Sequence, residues 1–268
     1  MRKIRRLSLE ELAPYQWQLP RQAAINRCDS QEISLDQSTQ GAEPAVAAEQ
    51  LNWSELFGNF NPVEIEVGIG KGLFLLTSAL TRPNTNFFGI EVVRKYQLYA
   101  TTRLAIRRLP NAKTVCADAR WVLRKFIPAA SVAAVHVYFP DPWWKARHKK
   151  RRVFTHDFAR DIARILRARG YLHLASDVEE YFEVMTGIIQ STPGFREVSR
   201  SKSNCSIQEA GYQTNFERKA RQRGSPVWRV VFERTEETIA SADHLLSSIS
   251  HVTSSGSWQP QPPLRPPF

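Results

Sequence analysis

A chain of 268 residues is long enough to bury a substantial core without disulfides, and its three cysteines, Cys28, Cys116 and Cys205, lie too far apart for a C-x-x-C pair. The formal charge of +11 is unevenly placed: residues 28–70 hold eight carboxylates and no Lys or Arg, so the rest of the chain carries a cationic surplus suited to a polyanion such as nucleic acid. No apolar run approaches the roughly 18 residues of a membrane span, and Met1-Arg2-Lys3-Ile4-Arg5-Arg6 is no secretory leader, so the expectation is an unexported protein of the reducing cytoplasm with no membrane partner.

Residues 1–50 begin basic and turn acidic without a sustained period, and they are expected to form a poorly ordered extension. Residues 51–235 alternate short β-branched or aromatic runs with helical patterns, the signature of crossover units around a parallel sheet. Residues 236–268 form a Ser/Pro-rich tail. Predicted buried strands are Val63–Val67, Asn86–Ile90, Lys113–Ala117, Ala133–Phe139 and Tyr171–Ala175, followed by a closing hairpin near Phe195–Ser199 and Trp228–Glu233. Covering helices are predicted with Leu98, Thr102, Ala105, Ile106 and Leu109 on one inward face, and with Phe158, Ile162, Ile165 and Leu166 on another. The fold class is therefore α/β, Rossmann-like, with a mostly parallel sheet and an antiparallel closing hairpin.

The first strand runs into Gly68-Ile69-Gly70-Lys71-Gly72, a glycine loop at a helix entrance that lets backbone approach a ligand closely. Such a loop alone also suits any sharp strand-to-helix turn. Glu91 ends the second strand, 21 residues beyond Gly70, where a carboxylate can accept both hydroxyl protons of a ribose. Leu73 occupies the position of the third glycine in a G-x-G-x-x-G fingerprint, which favours S-adenosylmethionine over NAD. Glu66 is placed to hold a cationic methionine end. Asp118, after the third strand, suits either the adenine amino group or a helix N-cap.

The fourth strand leads to Tyr138-Phe139-Pro140-Asp141-Pro142-Trp143-Trp144, and eight residues with six cations follow, Lys145-Ala146-Arg147-His148-Lys149-Lys150-Arg151-Arg152. A carboxylate between two prolines has little conformational freedom and is pre-positioned beside a reacting methyl group, while the tryptophans are placed to stack on a base. Nitrogen 7 of guanine is an unprotonated acceptor that needs no general base, so Asp141 would orient the ring and neutralise the charge left by methylation. His136 and His173 read as satisfied core residues, and no Cys/His pattern indicates a metal. Asp177, after the fifth strand, reads equally as an inward acid or an N-cap. Arg218, Lys219, Arg221 and Arg223 add a basic patch to those at residues 2–6 and 145–152.

These residues resemble the bacterial tRNA (guanine-N(7)-)-methyltransferases, which modify a guanosine in the variable loop of tRNA. The resemblance covers about residues 60–235. It rests on Glu66-Val67-Gly68-Ile69-Gly70, Gly89-Ile90-Glu91, the Phe139–Trp143 segment with its basic tail, Ser176-Asp177 and Thr214-Asn215-Phe216-Glu217. It implies that Glu66, Gly68, Gly70, Glu91, Asp118 and Asp141 bind or flank the methyl donor, with Asp141 catalytic. It also implies that Lys145, Asp177, Thr214, Asn215, Phe216 and Glu217 meet the RNA. The family includes monomers and assemblies, so neither is implied here. Two rival readings account for part of the pattern. An amino-group methyltransferase shares a D-P-aromatic segment but has little use for three cationic patches; a non-catalytic RNA-binding scaffold has no need of acids at four strand ends.

Overall fold

The computed structural model describes residues 7–20, 50–143, 146–203, 214 and 223–236. Its centre is a seven-stranded sheet formed by β1 (Val63–Val67), β2 (Asn86–Glu91), β3 (Ala112–Cys116), β4 (Val132–Tyr138), β5 (Leu166–Ser176), β6 (Phe195–Ser203) and β7 (Val227–Arg234). The spatial order is β3-β2-β1-β4-β5-β7-β6. β1 to β5 run parallel, while β7 lies antiparallel between β5 and β6. The chain reverses its order between β1 and β4, so the loops after these two strands face each other across the crevice where open α/β sheets bind ligands.

Alternation along the strands sorts side chains onto two faces. Ile65, Phe88, Ile90, Val135 and Val137 enter the larger core, which is covered by α5 (Ala119–Phe126), α6 (His156–Ile165) and α7 (Glu179–Gln190). The opposite face is covered by α3 (Leu73–Thr81) and α4 (Arg94–Arg107), with Phe87, Leu75, Leu104 and Ala112 packed between. α2 (Trp53–Phe57) starts at Asn52, whose side chain accepts from the Ser54 and Glu55 N–H groups, and Trp53 Nε1 reaches Ser131 at 3.1 Å.

Three expectations are corrected. Leu7–Pro20 lie within the segment expected to be poorly ordered, yet they are built in: α1 (Leu9–Leu12) starts with a reciprocal Ser8–Glu11 capping box, and the Trp17 N–H donates to Thr114 O at 2.9 Å. Trp17 packs edge-on against Phe88 and Phe126, so this segment closes the outer edge of β3. The buried face of α4 is Gln97, Ala100, Thr101 and Leu104, whereas the expected Ile106 is 49% exposed. Apolar periodicity misplaced that face because Gln97 and Thr101 are satisfied inside, bonding each other and Thr114. Finally, Leu166 belongs to β5 and not to the preceding helix.

Candidate active site

Glu66, Gly68, Gly70, Glu91 and Asp141 gather at the carboxyl ends of β1, β2 and β4. Gly68, Gly70 and Gly72 have φ of 74°, 51° and 65°, in the left-handed region that glycine tolerates. A Cβ at Gly68 or Gly70 would meet nothing within 4 Å, so open space lies against the loop. At Gly72 a Cβ would stand 2.6 Å from the Ala100 Cβ, so this glycine lets α4 close beneath the loop.

Glu91 is the clasp of the loop. Its Oε2 accepts from the Gly70 N–H at 2.7 Å and its Oε1 from the Val93 N–H at 2.9 Å. A carboxylate offers about four lone-pair sites, so each oxygen keeps capacity for a ribose hydroxyl. Burial raises its pKa; the N–H groups of Val93 and Gly70 oppose the shift, and the nearby Asp141 charge adds to it. Glu66 is buried, its pKa pushed well up by burial with the Glu91 charge adding, against a backbone hydrogen bond from Leu75 in the first turn of α3. Its Oε2 is buried without a hydrogen-bond partner.

Asp118 caps α5, accepting from the Arg120 N–H at 2.8 Å. Burial works to raise its pKa, but the hydrogen bonds and charge of Arg120 outweigh that and hold it below the usual value. The capping alternative is thus realised, with both oxygens also engaged by the guanidinium. Asp177, by contrast, caps nothing: the α7 N-cap is Val178, and the Ser176 hydroxyl accepts from its N–H at 3.1 Å. Asp177 is exposed after β5.

The Asp141 loop starts from a small apolar cluster of Phe139, just past β4, with Ala175 of β5 and Val227 of β7. Phe139 has φ of 52°, an uncommon value for an aromatic residue, and its N–H is held by Ala175 O at 2.8 Å. This bend carries Pro140 and Asp141 out of the sheet, and Asp141 is exposed. Trp143 stands edge-on to His148, and the Arg151 guanidinium lies 5.2 Å from the Trp143 ring centroid. Arg152 Nε donates to Pro142 O at 2.7 Å while its guanidinium lies 5.1 Å from the Tyr181 ring centroid on α7. The basic tail is therefore folded back onto the loop that it follows. Thr214 is buried; Lys145, Asn215, Phe216 and Glu217 lie outside the described residues.

A family model described as "Putative methyltransferase" matches residues 60–230. A tRNA (guanine-N(7)-)-methyltransferase of Rhodopirellula baltica is 44% identical over 190 residues, covering 69% of this chain and 70% of that one. Its counterpart in Aliivibrio salmonicida is 36% identical over 184 residues, covering 69% and 77%. The chain belongs to the tRNA (guanine-N(7)-)-methyltransferase family. Among solved structures, the 16S rRNA methyltransferase KamB superposes with a TM-score of 0.53 at 16% identity, covering 68% of this chain and 92% of that one. An antibiotic-related methyltransferase gives 0.51 at 19%, covering 66% and 90%. These two share the Rossmann-like fold.

This member of the tRNA (guanine-N(7)-)-methyltransferase family also carries a polar cluster that sequence reasoning did not assemble. His136 Nε2 lies 2.9 Å from Glu64 Oε2 and Nδ1 lies 2.9 Å from the Tyr138 hydroxyl, while His173 stacks on the ring at 4.7 Å. Burial lowers both histidines, His173 to about 3, so both rings are neutral at pH 7. Burial also works to raise Glu64, but the His136 hydrogen bond and the Arg82 ion pair at 2.7 Å outweigh it and hold the carboxyl at about 2. The neutral ring then donates from Nε2 to Glu64 and accepts from Tyr138 at Nδ1. The available signal was the period of two: Glu64 with Glu66, and His136 with Tyr138, share one face of the sheet. Among the described residues, no group of three His, Cys, Asp or Glu is placed to hold a metal ion, and no helix is long and apolar enough to cross a membrane.

Proposed function

We propose that this chain transfers a methyl group from S-adenosylmethionine to nitrogen 7 of a guanosine in the variable loop of tRNA, without a metal. Family membership supports the reaction and the RNA class, since the relatives named above are called tRNA (guanine-N(7)-)-methyltransferases. One observation carries the site assignment: the glycine loop clasped by Glu91 and the proline-flanked Asp141 share one sheet edge, close enough for the Asp141 charge to act on Glu91.

The residues fit the donor. The orphaned Glu66 Oε2 lacks the positive partner that an α-ammonium would provide, and the space against Gly68 and Gly70 leaves room for backbone contact with the ligand. Glu91 would hold the ribose hydroxyls while fixing the loop through Gly70, and Asp118 would take the adenine amino group with what acceptor capacity Arg120 leaves. Bound there, S-adenosylmethionine supplies an electrophilic methyl on a sulfonium.

Asp141 would accept the N–H protons on the guanine edge remote from nitrogen 7, fixing the base and stabilising the cationic product. Its exposure suits an acid that must meet a substrate too large to be enclosed. Lys145, Asp177 and Thr214 to Glu217 are proposed to contact the RNA. The catalytic unit is proposed to span residues 51–235, flanked by 1–50 and 236–268, and the protein is proposed to work in the cytoplasm.

The test is incubation with labelled S-adenosylmethionine and unmodified tRNA, followed by nucleoside analysis. Label in 7-methylguanosine is the expected result, and label in another nucleoside would overturn the guanine assignment.

A further inference from the structure

α4 was expected only to cover the sheet, yet its outward side gathers cations with no acid of its own between them. From Val92 to Ala117 the chain has six cations and no Asp or Glu. Lys95, Tyr99, Arg103 and Arg107 recur every four residues, starting on the side opposite Gln97, Ala100, Thr101 and Leu104 and winding toward the Ala100 side, and form one ridge of about 18 Å. Tyr96, 40% exposed, flanks its upper end, and the Arg103 guanidinium lies 5.8 Å from the Tyr99 ring centroid.

Several cations elsewhere on the surface are matched to acids: Arg124 to Asp161, Arg160 to Asp157, Arg196 to Glu233, and Arg200 to Glu183 and Glu197. Arg94, Lys95, Arg107 and Arg108 have no such ion pair among the described residues. The neighbouring acids are Glu10 and Glu11 on α1, which packs on α4, and Glu11 is engaged with the Ser8 N–H. A surface serving solubility alone interleaves both signs. Arg94, Lys95, Arg107 and Arg108, set among Tyr96 and Tyr99, instead match a phosphate backbone with bases or sugars stacked between. The ridge is also tied to the donor loop: Arg103 Nη1 donates to Lys71 O at 2.8 Å.

We propose that the outward ridge of α4 is a second tRNA-binding surface, holding the sugar-phosphate backbone outside the loop that enters the reaction site. This rests on the proposed function for its choice of polyanion.

The test uses the full chain with Lys95→Gln and Arg107→Gln together, and a control with the equally exposed Lys125→Gln and Arg167→Gln. Binding of intact tRNA is measured against salt, beside KM and kcat for transfer and affinity for S-adenosylmethionine. The ridge variant should weaken tRNA binding and raise KM on the order of tenfold, and lower the slope of log K against log salt by about two, one for each phosphate left without its cation. Its kcat, donor affinity and melting temperature should match the parent, and the control should change nothing. An unchanged KM and slope, or an equal change in the control, would overturn the proposal. So would a shift in oligomeric state with tRNA affinity intact, which would assign the ridge to a second copy of the chain. A parent that binds tRNA with the expected salt slope but transfers no methyl would count against the proposed function and not against the ridge.

Discussion

At the ends of β1 and β2, Glu66 and Glu91 are buried and touched by backbone N–H groups, whereas at the ends of β4 and β5 Asp141 and Asp177 stand exposed. The first pair belongs to the sheet and its loop, so the donor half of the site is fixed by folding. The second pair sits on backbone that leaves the sheet, through the bend at Phe139 and the turn at Ser176. This half is positioned but left open, as a large substrate requires. Damage to the first half should therefore register in stability as well as in donor binding, and damage to the second in turnover alone.

The largest expected effect sharpens that division. Asp141→Ala should lower kcat by at least about a hundredfold, the scale of removing one preorganised group that stabilises developing charge. Donor affinity, measured calorimetrically, and the melting temperature should stay near the parent values, and full activity would remove Asp141 from the mechanism. Gly72→Ala tests the other half. Left-handed backbone and a Cβ 2.6 Å from Ala100 together should cost about 2 kcal/mol, read from a urea titration, with weaker donor binding in parallel. An unchanged midpoint would show that α4 yields.

The smallest expected effect is the most discriminating. Burial holds the Glu66 carboxyl above its unfolded value, so stability is lost as pH rises from the ordinary carboxylate range through the raised value. Glu66→Gln should remove that cost at neutral pH and raise the melting temperature by about 2–4 °C for each kcal/mol recovered. The same change should weaken donor binding about tenfold, as loss of a charged hydrogen bond does. In the parent, donor affinity should fall as pH drops through the Glu66 value, and in the variant this dependence should flatten. A destabilised variant with unchanged affinity would make Glu66 a purely structural acid.

Much of this was legible in the residues. The seven strands lie within a few positions of their predicted spans, except β5, which starts five residues before the predicted Tyr171, and β6, which runs four residues past the predicted Ser199. The glycine loop, the acids at the ends of β1 and β2 and the acid after β4 fall where strand-end reasoning put them, because runs of β-branched and aromatic residues leave few alternatives to a buried parallel sheet. The α4 face was missed because burial followed hydrogen-bond satisfaction of Gln97 and Thr101 and not hydropathy. Leu7–Pro20 were missed because Trp17 finds Phe88 and Phe126 far along the chain, which no local window contains. The anchoring of the Asp141 loop by Arg152 was also illegible, since a run of six cations gives no hint which one turns back to a carbonyl.

The two outer strands of the sheet are finished by different means. β6 carries Arg196, Arg200 and Lys202 and a register break between Glu197 and Ser199, which discourage another strand from adding to it. β3 carries one cation, Lys113, which is turned to the Pro14 carbonyl, and no register break; Gln16 and Trp17 lie along it instead. Synthesis proceeds from the amino end, so this cover leaves the ribosome almost a hundred residues before the strand it protects. The exposed edge need never wait for its guard, and a misplaced intermolecular strand would have to displace a partner already tethered to the same chain.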